Sequence, residues 1–103
     1  MNTDKASRSH SETVVQLLQE DPELATIYLN TAIEESHLPG GEQALLSALR
    51  YIAEAQGMAT VAERAGLPRE SLYRALGPKG NPTFKTFLAI LKASGIQLSC
   101  QKG

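Results

Sequence analysis

The chain has 103 residues, 42% apolar and 20% charged, a balance that allows one modest hydrophobic core and excludes a disordered polymer. No apolar run approaches the roughly 20 residues of a membrane span. The polar start is no signal peptide, and the single Cys100 rules out an internal disulfide, so the expected compartment is the cytoplasm. The net charge of −1 conceals an asymmetry: residues 1–57 hold three basic and nine acidic side chains, and residues 58–103 hold seven and two. A basic C-terminal half suits phosphate groups, and the acidic half confines such a partner to one face.

Taken in chain order, Met1 to His10 lacks periodicity and is expected as a mobile arm. Ser11 can cap a short helix in which Val14, Leu17 and Leu18 share a face. Asp21-Pro22 reads as a cap followed by proline at the first helical position, with Leu24, Ile27, Tyr28 and Leu29 at helical spacing beyond it. Pro39-Gly40-Gly41 breaks that pattern. A third helix follows from about Glu42 to Gln56, with Leu45, Leu46, Leu49, Ile52 and Ala53 on one stripe. Two short helices come next, near Thr60–Ala65 and Pro68–Leu76. The last helix starts near Thr83, carries Phe84, Phe87, Leu88 and Leu91 at i, i+3, i+4 and i+7, and stops at Gly95 with Ile96 folding back. Ile96–Ser99 alternates apolar and polar residues, so a short extended segment can form there and pair with a second copy. The expected organisation is an arm over residues 1–10, a helical extension over 11–40 and a second helical domain over 41–103 that carries the basic half.

The informative stretch runs from Met58 to Leu76. Small Ala62 lies where two crossing helices come closest, Gly66 sits at the sharp turn, Leu67 plugs that turn, and Pro68 sets entry to the second helix. Leu72, Ala75 and Leu76 then face inward, while Arg69, Glu70, Tyr73 and Arg74 face outward. This is the spacing of a helix-turn-helix whose second helix enters the DNA major groove, although a plain helical hairpin has the same framework.

Arg69 leads the second helix, where a guanidinium can donate two hydrogen bonds to guanine O6 and N7. Glu70 can accept from cytosine N4, restrain Arg69 through a salt bridge, or complement the helix dipole. Arg74 can reach a base or a phosphate, and Tyr73 a phosphate or a thymine methyl. Ser71 belongs to the same short helix. Lys79, Asn81, Thr83 and Lys85 surround the next helix start, where backbone N–H groups favour a phosphate. Such a domain presents few contacts, so tight binding calls for a homodimer on a palindromic operator of double-stranded DNA.

Enzymatic chemistry finds no support. His10, His37 and Cys100 are far apart, without metal-ligand spacing, and no cofactor or metal is expected. Asp21, Glu23, Glu34 and Glu35 offer a face complementary to a basic partner protein, or serve only to keep the chain soluble.

The chain resembles the lambda-repressor-like (Xre) helix-turn-helix proteins and, more narrowly, the short HigA-type addiction-module antidotes of bacteria and prophages. The resemblance is carried by Leu49-Arg-Tyr-Ile-Ala-Glu-Ala-Gln-Gly57, Ala65-Gly-Leu-Pro-Arg-Glu-Ser-Leu-Tyr-Arg-Ala-Leu76 and Gly80-Asn-Pro-Thr-Phe-Lys-Thr-Phe87. Asp21-Pro-Glu-Leu-Ala-Thr-Ile-Tyr-Leu-Asn30 and Leu91-Lys-Ala-Ser-Gly-Ile-Gln-Leu98 fit as well. It implies an all-α, five-helix DNA-binding core, homodimerisation, and repression of an operon shared with a small ribonuclease-like toxin. Arg69, Glu70 and Arg74 would fall on its base-reading positions, and Asn81, Thr83 and Lys85 on its backbone-contacting loop. Met58, Ala59 and Pro68 depart from the polar residues many relatives place there. A prophage repressor without a toxin and a pure protein-interaction module both remain compatible with these residues.

Overall fold

The computed structural model describes residues 9–100, so most of the expected arm lies outside the described residues. Six helices follow one another: α1 His10–Glu20, α2 Leu24–Glu34, α3 Gly41–Gln56, α4 Met58–Ala65, α5 Arg69–Ala75 and α6 Phe84–Ala93. The fold is all-α, and among the described residues there is no strand. Ile96–Ser99 therefore takes no regular structure; Ile96 instead donates its N–H to the Leu91 carbonyl, the fold-back expected after Gly95.

Local chemistry sets the helix ends. Ser9, rather than Ser11, caps α1, and the reason is a reciprocal pair of hydrogen bonds. The Ser9 hydroxyl accepts from the Glu12 amide at 3.1 Å, and the Ser9 amide donates to Glu12 Oε1 at 3.0 Å. His10 thereby joins the helix, its ring meeting the edge of Tyr51 on α3 at 6.5 Å between centroids. Asp21 does accept from the Glu23 amide, but a tight turn carrying Pro22 and Glu23 delays α2 until Leu24.

Helix α3 is the spine. The helices α1 and α2 pack on it, α4 follows it after a single glycine, and α5 and α6 pack on α4. One core cluster unites these layers, with Leu29, Leu49, Ile52, Val61, Leu72, Leu76, Ile90 and Leu91 almost wholly removed from water. The amide of Gln56 at the end of α3 donates to the Ser94 carbonyl beyond α6 at 2.8 Å, tying the two ends together. Burial of Tyr28 between α2 and the spine pushes its phenol above the ordinary value, and nearby Tyr51 adds to the effect.

Apolar spacing overstates what is covered. Leu17 and Ile27 are 49% and 64% exposed, and Phe84 and Leu88 are 74% and 38% exposed. Each lies on a predicted apolar stripe, yet it stays exposed, so among the described residues no helix covers that edge.

Candidate nucleic-acid interface

The helix-turn-helix stretch is built from its turn outward. Gly66 adopts φ 71°, a left-handed conformation that a side chain would strain. This lets Leu67 donate back to the Ala62 carbonyl at 2.9 Å, and Gly66 to that of Glu63 at 3.1 Å. Leu67 packs against the core, and Pro68, with φ −60°, leads the chain into α5.

Helix α5 has seven residues and is too short to persist alone, so its orientation is set by what it buries. Leu72 and the following Leu76 are buried, while Arg69, Glu70, Tyr73 and Arg74 are exposed on the opposite face. The outward set is the one the spacing predicts.

Within that set the Arg69 guanidinium carbon lies 5.8 Å from the centre of the Tyr73 ring. Among the described residues the ion pair within 4.0 Å is Arg50–Glu54 on α3, so no Arg69–Glu70 salt bridge forms.

The segment between α5 and α6 folds against the end of α5. A Cβ added at Gly80 would collide with the Ala75 carbonyl oxygen, so only glycine allows this approach. The result is an open cleft of about 320 Å³ lined by Ser71, Arg74, Lys79, Asn81 and Thr86, with Leu67 and Pro82 in its walls. Ser71 and Arg74 from α5 thus meet Lys79 and Asn81 from the loop.

Thr83 is placed otherwise. Its hydroxyl accepts from the Thr86 amide at 3.1 Å and lies 3.0 Å from Thr86 Oγ1, capping α6. Thr86 is the cleft residue the sequence reasoning missed, although its spacing three after a threonine cap was a usable signal. Lys85 is exposed on the first turn of α6. Met58 is buried in the core, so the first helix of the pair offers no polar group at that position.

A family model described as "Probable addiction module antidote protein" matches residues 7–102. The chain belongs to that family. A relative from Haemophilus influenzae, described as an uncharacterized protein, is 41% identical over 76 residues, 74% of each chain. No solved structure matches significantly. Membership of an addiction-module antidote family implies a toxin partner in general. No helix among the antidote's described residues is long and apolar enough to cross a membrane, and none of their side chains group as a metal site.

The antidote's four predicted partner-facing carboxylates are all exposed but not contiguous. Asp21 and Glu23 precede α2 and Glu34 and Glu35 end it, a separation of about 17 Å at helical rise. Glu12, Glu20 and Glu54 instead share a groove between α1 and α3.

Proposed function

We propose that this antidote is of the HigA type, a lambda-repressor-like helix-turn-helix protein. It binds a palindromic operator as a homodimer, represses its own operon and neutralises a small, basic, ribonuclease-like toxin. The observation that carries the DNA-binding part is the face of α5. Leu72 and Leu76 anchor the helix, and Arg69, Glu70 and Arg74 stand clear of the protein beside the Ser71–Arg74–Lys79–Asn81 cleft. A guanidinium at the leading end of such a helix reads base edges, and the cleft accepts backbone phosphate. Footprinting on the DNA upstream of its own gene tests the assignment; protection no stronger than on random DNA would refute it.

Lys85 is assigned a phosphate contact at the start of α6. Lys85→Ala should weaken binding to operator and random duplexes alike. It should also flatten the dependence of log affinity on log salt by about 0.9 per contact. An unchanged salt slope would remove the lysine from the interface.

The second copy is assigned to the outer edge of α6. Phe84 adjoins Asn81 and Pro82, and Leu88, Leu91, Ile96 and Leu98 line a further apolar cleft along the same helix. Two half-sites about one helical turn apart require that such a contact leave both α5 helices facing one side. Leu88→Glu should sediment as a monomer and protect single half-sites. A variant that stays dimeric would move the interface elsewhere, Leu17 and Ile27 being the next exposed apolar side chains.

Toxin contact is assigned to the acidic N-terminal half. Reversing Asp21, Glu23, Glu34 and Glu35 to lysine should abolish co-purification with the neighbouring operon product while leaving operator binding intact. Undiminished co-purification would exclude these carboxylates.

A further inference from the structure

Helix α5 carries an arrangement that bears on how Arg69 is aimed. Arg69 and Tyr73 are four residues apart, one above the other on the exposed face. Helical side chains lean toward the N-terminus, so the Tyr73 ring is carried back under the residue one turn earlier. The guanidinium carbon lies 5.8 Å from the ring centre, within the range over which an aromatic face attracts a cation. From these facts we infer that Tyr73 is a positioning residue for Arg69, holding its guanidinium over the ring with the N–H edge free to meet a base pair. The inference rests on the base-reading role proposed above for Arg69.

The chemistry favours this partner over a carboxylate. A guanidinium presents its donors in its own plane, and the pair O6 and N7 of a guanine uses two of them side by side. A carboxylate binds through those same in-plane donors and would have to be displaced before a base could enter. An aromatic ring attracts the cation through its quadrupole and supplies no in-plane acceptor that a base would have to displace. Arg69 forms no ion pair among the described residues, and Glu70, the neighbour that could have supplied one, does not do so. Arginine otherwise has a long, freely rotating stem, so limiting its orientations before contact lowers the ordering cost of binding. Because α5 is itself fixed by Leu72 and Leu76, the ring is a platform on a rigid support.

The test uses the full-length protein and duplexes bearing the footprinted sequence from upstream of its own gene. One set of duplexes is substituted at each base pair in turn. The readout is discrimination, the ratio of affinities for the native and substituted pair at the position where Arg69→Ala loses preference. Tyr73→Phe keeps the ring and should retain full discrimination. Tyr73→Leu should lose about two- to fivefold at that pair and nowhere else, the range expected of an exposed cation–ring contact. In an Arg69→Ala background, Tyr73→Leu should change nothing further. Tyr73 is itself exposed, and unchanged helicity and melting of each variant check that only the face has altered.

Three results would overturn the inference while leaving base reading by Arg69 in place. They are full discrimination by Tyr73→Leu, equal losses for the Phe and Leu variants, and an undiminished effect of Tyr73→Leu without Arg69. The second would mean that the hydroxyl contacts DNA, the third that the ring touches a base itself. An Arg69→Ala protein that kept every base preference would overturn the base-reading assignment first and the inference with it.

Discussion

Arg69→Ala should erase the preference of the protein for its own operator while leaving weak binding to any duplex. A bidentate contact to guanine is worth about 1–3 kcal/mol against the wrong pair, and a dimer makes it once in each half-site. The loss should therefore reach about 2–6 kcal/mol on operator DNA, read as the ratio of operator to random-sequence affinity. Arg69 is exposed and has no ion pair among the described residues, so its truncation leaves no buried charge behind. An equal loss on operator and random DNA would show that the arginine meets only phosphate. The remaining affinity should keep a steep salt dependence, because Arg74, Lys79 and Lys85 are untouched.

Leu72→Ala should cost about 2–5 kcal/mol of unfolding free energy, the range for a leucine deleted from a closed core. Leu72 is 0% exposed, and α5 offers little else to hold it in place: Leu76 beyond its end and partly buried Ser71 and Ala75. A domain of this size has only about 5–15 kcal/mol in total, so a large share would go with one side chain. Urea denaturation with an unchanged slope would measure it, with exposed Glu63→Ala as a control expected within about 0.5 kcal/mol of the parent. A loss below about 1 kcal/mol would mean that the surrounding core side chains close over the gap.

Several features are legible in the sequence alone. Gly66, Thr83 and Gly95 with Ile96 mark helix ends through backbone chemistry that depends on a few adjacent residues. The outward face of α5 follows from the three-to-four spacing of Leu72 and Leu76. The cap of α1 was legible too, since Ser9 has a glutamate three residues on and Ser11 has Val14 there.

Other features depend on which elements meet. Periodicity shows that Leu17, Ile27, Phe84 and Leu88 lie on apolar stripes, but a stripe does not reveal how wide the neighbouring helix is. Met58 was expected ahead of its helix; the single-residue break at Gly57 starts α4 at once and turns that side chain into the core. The Arg69–Tyr73 contact and the Ser71–Arg74–Lys79–Asn81 cleft join residues whose proximity needs the helix and the loop in place. A toxin partner in general follows from family membership, which the stretches Leu49–Gly57, Ala65–Leu76 and Gly80–Phe87 already suggest.

The spine arrangement of α3 has a consequence for occupancy. The helices bearing the acidic carboxylates rest mainly on α3, whereas α5 and α6 rest on α4, so the two faces draw on different supports. Two ligands held on separate supports need not compete for surface, and substitutions on one face should combine additively with those on the other. Under the proposed assignments such a protein would be a bridge rather than a toggle, one copy carrying a cargo on its acidic side while its basic side stays engaged. Dependence of one occupancy on the other would travel through the α3–α4 junction at Gly57, the shared core and the Gln56–Ser94 hydrogen bond.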